Sequence, residues 1–468
     1  MSDIAREPRR GWLASLGLDR PELRAWAMYD WANSAMMTTI IAAIFPIFFI
    51  KVAGAGLDSD PEKAKTIALQ YFTWASTLGM VIIAILSPIL GALADARPIK
   101  KPLLGGFMAL GVAAVAAMYM IRTGDWLFAA VLFVLANIGA NGSFVVYDAL
   151  LPHVARPDEV DRVSTAGYAL GYLGGGILLV FNALWIMKPQ WFGLPSGEGL
   201  TPSQATLPAR LAFVSVAVWW AVFSIPLFRK VSEPPITRPS ARLADGRLAR
   251  HPLADAFHRL GGTFQEFRKF RQGGLMMLAF LIYNDGIGTI YRMATSYGEA
   301  IGIDSGAMIG ALILVQFVGI PCAFAFGGLA GKLGVRHTIL AGLGVYLVIS
   351  VLGYFMTTSL HFFLLAILVG MVQGGTQALS RSLFATLIPR DRSGEFFGFF
   401  AVVEKFAGIV GPLLFGLSIA LTGSERVAIL TVIPFFLVGG AILLMVDIEG
   451  GQRIARAAEA EALENSTT

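Results

Sequence analysis

The sequence predicts an all-α integral membrane protein whose twelve transmembrane helices form two related six-helix bundles. Three observations predict this class. Of the 468 residues, 56% are hydrophobic and 14% are charged, whereas a soluble chain is about 25% charged. The apolar residues fall in twelve runs that are long enough to cross a bilayer. Two short motifs also recur at nearly one spacing, which indicates an internal repeat.

Each predicted span is a run of about twenty mostly apolar residues, the length that a helix needs to cross the hydrocarbon core. Such runs are helical because lipid offers no partner to an exposed backbone polar group. The first six spans are 26–50, 67–94, 103–121, 126–147, 164–187 and 211–228. The second six are 273–297, 307–330, 338–356, 360–380, 396–421 and 427–446. The 396–421 span has the weakest pattern because Glu404 and Lys405 interrupt it.

The basic residues predict the orientation in the membrane. If the N-terminus is cytoplasmic, 26 of the 36 Lys and Arg residues lie on that side, seven lie on the opposite side and three lie within spans. Cytoplasmic loops carry such an excess, so we expect both termini inside. The segment before the first span is polar and basic, and we expect no cleaved signal peptide. The positive charge thus serves orientation, and nucleic acid is not expected as a partner.

The predicted organisation has five segments. A cytoplasmic segment 1–25 precedes the bundle 26–228, a linker 229–272 leads to the bundle 273–447, and a cytoplasmic tail 448–468 follows. The linker contains an Arg-rich stretch, 254–271, that is either part of a flexible join or a surface amphipathic helix with a regulatory role. The tail is polar and rich in Ala and Glu, and we expect it to fray.

The sequence lacks the residues that several classes of protein require. The single Cys322 excludes an intrachain disulfide and a cysteine-based metal site. No nucleotide-binding glycine loop is present, which disfavours an ATP-driven pump. Neither a metal spacing nor a nucleophile with its base is found, so we expect no enzyme activity, no metal and no cofactor. The expected partners are a small-molecule substrate and membrane lipids, with the protein itself monomeric.

Two pairs of short motifs form the repeat. Each pair lies after helices that run towards the predicted inside, as a parallel repeat requires, and the two offsets are 236 and 237 residues. Two parallel halves place a substrate site between them, near the midplane. The motifs are Gly91-Ala-Leu-Ala-Asp95 with Gly327-Gly-Leu-Ala-Gly331, and Ala149-Leu-Leu-Pro152 with Thr386-Leu-Ile-Pro389.

These motifs carry a family resemblance. The loop that begins at Gly91 is similar to the loop signature of major facilitator superfamily transporters. Three further strings resemble the Atg22-like subfamily: Ala25-Trp-Ala-Met-Tyr-Asp-Trp-Ala-Asn-Ser-Ala35, Phe280-Leu-Ile-Tyr-Asn-Asp-Gly286 and Gln373-Gly-Gly-Thr-Gln377-Ala-Leu-Ser-Arg381. The resemblance implies the major facilitator fold, alternating access and, from the vacuolar members, export of amino acids.

Ionisable residues inside a span are costly and mark candidate transport sites. Asp285 lies near the predicted midplane between Asn284 and Gly286, with Tyr283 before them. A carboxylate there suits a proton carrier or a ligand for a substrate amine, and the alternative is a structural pair with a neighbouring helix. Asp30 lies near the predicted start of the first span. It either belongs to the substrate and proton pathway or is only an anion stabilised by the partial positive charge at the start of the helix.

The other candidates lie on the first, tenth and eleventh spans. Tyr29 adjoins Asp30, and Asn33 should share a face with it by helical spacing. Gln373, Gln377 and Arg381 also share one face. There Arg381 either clamps a substrate carboxylate or reaches out to the lipid headgroups.

Glu404 and Lys405 are a further pair of candidates inside the eleventh span. Neighbouring residues on a helix point about 100° apart, so we expect each to find its partner on another span rather than in the other. Asp285, Arg292 and Arg381 are the available partners, and a buried ion-pair network is as good an interpretation as substrate contact.

The repeated loops predict a cytoplasmic latch between the halves, by the resemblance. Its carboxylate lies beside basic residues and a helix start, a contact that can break and re-form. The predicted latch residues are Gly91, Asp95, Arg97, Lys100, Gly327 and Arg336.

Taken together, the sequence predicts a secondary active transporter that exports amino acids or similar small metabolites, with proton coupling. Efflux of drug-like or lipid-like amphiphiles and a non-transporting membrane sensor are the alternatives. The expected location is the bacterial inner membrane, with the vacuolar membrane as the alternative.

Overall fold

A computed structural model describes residues 12–235, 269–300, 302–407 and 410–467. The predicted amphipathic segment lies, but for its last three residues, outside the described part of the chain. Twelve helices are long and apolar enough to cross a membrane, which confirms the predicted number of spans. The first half contains α1 (Pro21–Ala53), α2 (Pro61–Ala96), α3 (Lys100–Ala117), α4 (Trp126–Val154), α5 (Val160–Met187) and α6 (Pro202–Lys230). The second contains α7 (Arg271–Ala300), α8 (Ser305–Leu333), α9 (Val335–Tyr354), α10 (Ser359–Thr386), α11 (Arg390–Thr422) and α12 (Arg426–Leu444).

Most helices extend beyond the predicted hydrophobic runs because polar residues continue the helical hydrogen bonding outside the apolar core. At the start of α6, the side chain of Thr201 accepts from the Gln204 backbone and the Gln204 side chain accepts in return. Asp304 and Thr358 cap α8 and α10 through the same kind of bond. The largest consequence is at α4, which runs seven residues past its predicted end and so includes Asp148.

Several spans depart from regular α-helix, the first and the eleventh most of all. In α1 the residues from Met36 to Ala43 form a π-helical stretch, a wider winding that is frequent at functional sites. The predicted eleventh span, 396–421, is confirmed as a span, but it is not a single regular helix. That span consists of α11a (Ser393–Phe406) and α11b (Val410–Thr422), and the backbone of Ala407 between them is extended (φ −62°, ψ 117°).

The two halves meet along helix pairs that bring small residues against backbone. An even number of spans places both chain ends on one face, here called the termini side. At the termini-side end of the interface, α2 lies against α11a, where a Cβ on Gly91 would overlap the carbonyl oxygen of Gly394. Only glycine permits this approach. On the other flank α5 packs against α8 and α10, and Ser164 donates to the carbonyl of Ala378 over 2.7 Å.

The repeat is visible in side-chain packing as well as in motif spacing. On α5, Gly174 lies against the carbonyl oxygen and indole of Trp31 in α1. Gly411 on α11b follows 237 residues later, and it lies against Asp285 and Thr289 in α7. A glycine of the fifth span therefore lies against the first span, as a glycine of the eleventh lies against the seventh.

The expectation of a frayed tail is wrong, because Ile448–Thr467 forms a helix, α13, on the termini side. Ala455, Ala458 and Ala462 are buried on one face. Glu459 accepts from the backbone nitrogen of Arg390, 2.8 Å away, at the start of α11. The polar composition that predicted fraying is the exposed face of a helix docked on the bundle.

Replacing Ala458 with aspartate should lower the unfolding temperature of the purified protein by several degrees. The change places an unpaired charge in the buried face of α13. Differential scanning fluorimetry in detergent measures the shift. Ala457→Asp is the matched control because Ala457 is exposed on the same turn. Equal melting of the two variants would show that α13 is not docked in solution.

Candidate functional site

A cavity of about 350 Å³ lies between the two halves and is lined from both of them. The first half contributes α1, α2, α4 and α5, and the second contributes α7, α8, α10 and α11a. Its volume is at the small end of ligand sites, which run from about 300 to 1,000 Å³. Five ionisable side chains of both charges line it: Asp30, Asp148, Arg381, Glu404 and Lys405.

Arg381 is the centre of the charged groups. It lies on α10 of the second half, and its Nη1 contacts two carboxylates of the first half, Asp148 at 2.9 Å and Asp30 at 3.6 Å. Its remaining donors bind Ser164 on α5, through Nε to the hydroxyl and Nη2 to the carbonyl, both at 3.0 Å. Only 4% of the Arg381 side chain is exposed. The alternative that Arg381 reaches out to the headgroups is therefore wrong, and this ion triad joins the two halves.

Aromatic rings enclose the guanidinium. It lies over the rings of Tyr168 at 4.7 Å and Trp26 at 5.0 Å, close enough for cation–π attraction. Trp26 stacks on Tyr147, whose hydroxyl donates to Asp30 over 3.2 Å. The rings and hydrogen bonds fix both carboxylates and the guanidinium in one orientation.

Small residues on α5 make room for the carboxylate of Asp30. A Cβ on Gly167 would come within 2.8 Å of Asp30 Oδ2, and one on Gly171 within 2.6 Å of Ser34 Oγ. Asp30 itself is nine residues into α1, so its alternative role as an anion at the helix start is wrong. It lies in the interior because α1 begins well before its hydrophobic run.

The other predicted residues of α1 lie behind the cavity wall. The amide of Asn33 donates to the hydroxyl of Ser143 on α4 at 3.3 Å and lies 3.5 Å from the Tyr29 hydroxyl. Both Asn33 and Tyr29 are fully buried, and neither lines the cavity. The expectation that Asn33 shares the polar face of Asp30 is therefore wrong. Their contacts fix α1 to α4 in the turn that carries Asp30.

Glu404 and Lys405 close the opposite wall. Both line the cavity from the last turn of α11a, and their charged atoms are 3.9 Å apart. The expectation that they pair with groups on other spans rather than with each other is wrong, because their charged atoms lie within ion-pair distance of each other. The contact is at the limit for an ion pair, and 42% of the Glu404 side chain is exposed. Glu404 is thus open to a molecule in the cavity, whereas only 18% of the Lys405 side chain is exposed.

Amides line the part of the wall next to Arg381. Gln373 and Gln377, at four-residue steps before Arg381, face the cavity together with Gln316 and Asn141. Gln377 donates to the side-chain oxygen of Asn284 on α7 over 3.2 Å. The buried amide oxygen of Gln373 has no hydrogen-bond partner in the described part of the chain. It can accept from a bound molecule.

The Tyr283–Asp285 segment of α7 is buried outside the cavity lining. Both carboxylate oxygens of Asp285 accept from the backbone nitrogen of Gly411, at 3.1 and 3.2 Å. Tyr283 is hydrogen-bonded to Ser380, and Asn284 reaches the cavity wall only through Gln377. These contacts lie between helices of the second half, and a role of the segment in transport stays a prediction.

The predicted latch lies at the termini-side contact of α2 and α11a. Asp95 accepts from Lys100 over 2.5 Å, and its second oxygen accepts from the backbone nitrogen of Glu395 over 2.8 Å. This places a carboxylate of the first half on the N-terminal end of α11a. Nearby, His153 on α4 lies 3.1 Å from the Ser393 hydroxyl, which donates to the Ala149 carbonyl. Both contacts cross between the halves, and their role as a latch stays a prediction.

The second copy of the latch is built differently. Gly327 on α8 packs against Thr165 of α5, so its contact also crosses between the halves. Arg336 donates to the carbonyl of Val446 at 3.1 Å and stays within the second half. Arg97 is exposed, so Lys100 alone of the two provides the cation to Asp95.

Asp148 is the residue that the sequence patterns missed. The predicted fourth span, 126–147, ended one residue before it. The repeat motif 149–152 follows Asp148 directly and ends two residues before the true end of the helix, so it could have revealed this residue. Among the described residues, no group of three or more His, Cys, Asp or Glu side chains could hold a metal ion.

Twelve spans in two repeated halves, with a charged cavity between them, define a membrane transporter of the major facilitator type. A fucose transporter of this superfamily, FucP, solved in its outward conformation, shares the fold at a TM-score of 0.66 and 14% identity, over 92% of this chain and 99% of that one. A sequence model of the vacuole effluxer Atg22-like family matches residues 18–456. The chain belongs to that family.

Two relatives show the breadth of this family. An uncharacterized MFS-type transporter of Bacillus subtilis (strain 168), YxiO, is 35% identical over 425 residues, 91% of this chain and 94% of that protein. Autophagy-related protein 22 of Yarrowia lipolytica is 27% identical over 337 residues. That match covers 66% of this chain and 53% of the yeast protein.

Proposed function

We propose that this protein is a proton-coupled secondary transporter that exports amino acids or similar small zwitterions by alternating access. The observation that carries the proposal is the presence of both charges on one small cavity. Arg381 and Lys405 suit a cargo carboxylate, and Asp30, Asp148 and Glu404 suit an ammonium group. The family name, vacuole effluxer, supports export.

The charge balance of the ion triad supports proton coupling. Asp30 and Asp148 share one guanidinium, which leaves one negative charge in excess in a buried site. A proton on either carboxylate neutralises it, and a second buried charge is costly in a membrane interior. Proton binding and release there would change the attraction between the halves.

The cavity argues against the amphiphile alternative. A carrier of lipid-like compounds would have a mainly aromatic cavity with a single carboxylate. Five ionisable groups and four amides line this one, and its volume of about 350 Å³ suits a cargo of amino-acid size. We place the protein in the bacterial inner membrane with the termini side cytoplasmic, in agreement with the charge bias of the loops.

Counterflow in proteoliposomes tests the cargo and the coupling. Labelled amino acids should exchange, and analogues without the amine or without the carboxylate should exchange at least about tenfold more slowly, since each lost charged contact is worth 1.4 kcal/mol or more. Asp148→Asn should keep exchange but lose acceleration by a proton gradient, and exposed Asp158→Asn is the matched control.

Three outcomes would overturn parts of the proposal. Exchange of hydrophobic drugs but of no amino acid would favour the amphiphile carrier. Ligand binding without flux would favour the sensor. Normal proton acceleration in Asp148→Asn and in Asp30→Asn would remove the triad from coupling.

A further inference from the structure

One backbone group on each side of the break in α11 is bound by a charged side chain of the same neighbouring helix. In a membrane, a broken helix frees backbone groups that lipid cannot bond. At the start of α11b, the Gly411 nitrogen donates to both oxygens of Asp285. At the end of α11a, the Ala407 carbonyl accepts from Arg292 over 3.3 Å. Both partners come from α7, seven residues and hence about two turns apart.

The signs of the two charges match the two helix ends. The N-terminal end of a helix carries partial positive charge and the C-terminal end partial negative charge. Asp285, an anion, faces the N-terminal end of α11b, and Arg292, a cation, faces the C-terminal end of α11a. The opposite arrangement would repel at both ends. Pro412, which lacks a backbone N–H, cannot donate a helical hydrogen bond back across the break.

The break also decides where the cavity charges lie. Glu404 and Lys405 are in the last turn of α11a, next to the Ala407 carbonyl that Arg292 binds. In a continuous helix, the residues after Phe406 would follow the helical path instead. The position of α11a along its own axis would then shift. The contacts of Asp285 and Arg292 therefore set where α11a ends. They thereby also set the position of Glu404 and Lys405 along the cavity wall.

We propose that Asp285 and Arg292 are positioning residues that hold the break in α11 and thereby present Glu404 and Lys405 to the cavity. This assigns Asp285 to the shape of the site rather than to proton or cargo binding. The inference concerns geometry alone, so it does not depend on which molecule is carried or on proton coupling.

Hydrogen–deuterium exchange of the peptide around Gly411, in the purified full chain, tests the cap. Asp285→Ala should speed exchange of this peptide roughly tenfold, because the Gly411 amide loses its acceptor. Asp285→Asn should exchange like the wild type, because the amide oxygen still accepts. If the alanine variant exchanges like the wild type, or the asparagine variant like the alanine one, the capping role is wrong.

Thiol labelling tests the consequence for the cavity. In a Cys322→Ala background, the rate at which a membrane-impermeant maleimide labels the Lys405→Cys variant measures how accessible position 405 is. Asp285→Ala and Arg292→Ala should each change the labelling rate several-fold, while Asp285→Asn and Arg292→Lys should not. Gln373→Cys, on the cavity wall formed by α10, is the control reporter. Its labelling rate should be equal in all variants.

The two ends of the break give independent results. Should Asp285→Ala fail to purify as a folded protein, the Arg292→Ala and Arg292→Lys pair makes the same comparison from the other end. Unchanged labelling at position 405 in the Arg292→Ala variant would overturn the proposal. A failed search for an amino-acid cargo would leave these measurements unaffected.

Discussion

Replacing Arg381 with methionine should abolish transport and lower the stability of the fold by about 3–5 kcal/mol, the typical cost of leaving a buried charge without its partner. The guanidinium is the one cation in contact with both Asp30 and Asp148 among the described residues. Without it, two carboxylates in the interior face each other and an aromatic wall. Differential scanning fluorimetry and proteoliposome counterflow measure the two effects.

Neutralising the carboxylates separates stability from function. In the triple variant Arg381→Met, Asp30→Asn, Asp148→Asn, no charge is left uncompensated, so most of the lost stability should return while transport stays absent. The matched control is Arg426→Met, which removes an exposed arginine. If Arg381→Met alone transports normally, the triad is not part of the transport site. If the triple variant is as unstable as the single one, lost packing rather than charge explains the effect.

Replacing Gly91 with alanine should open the termini side of the transporter. The added Cβ would overlap the carbonyl oxygen of Gly394 and force α2 away from α11a. That separation removes the bond from Asp95 to the Glu395 nitrogen and exposes the contact at Ser393, which is fully buried in the closed arrangement. In a Cys322→Ala, Ser393→Cys background, maleimide labelling should become at least about tenfold faster, the effect of a shift of 1.4 kcal/mol in the equilibrium between the two states.

The control for Gly91→Ala is the same substitution at a glycine where an added Cβ would have open space. Gly106→Ala is the matched control, because a Cβ there meets no atom within 4 Å. Asp95→Asn should give a smaller increase, since the amide can still accept from Glu395 but binds Lys100 weakly. Labelling of Gly91→Ala at the wild-type rate would show that the close contact of α2 and α11a is not what closes this end.

The spans and the repeat followed from the sequence because they depend on local physics. A backbone in lipid must satisfy its hydrogen bonds within the helix, so hydropathy alone located all twelve spans. The prediction failed where side chains change the local pattern. The fourth helix continued past its predicted end and so includes Asp148, and the docked face of α13 was hidden in a polar composition.

The candidate site depended on helix packing, which local spacing does not encode. Residue type marked Asp30, Arg381 and Asp285 equally as ionisable groups within spans. Packing between the halves brought Arg381 to Asp30, whereas packing of α7 on α11 turned Asp285 to a backbone nitrogen. The same carboxylate chemistry thus serves an ion triad in one place and a helix cap in the other.

The sequence by itself therefore determined that the chain crosses the membrane twelve times, that it consists of two related halves and that its interior carries charge. Only the tertiary structure decided which charges meet in the cavity, where the eleventh span breaks and how the termini side closes. The reason is physical: hydrogen bonding within a helix is set by neighbours in the chain, whereas the partner of a buried charge comes from a helix that can be more than two hundred residues away, as Ser164 is from Arg381.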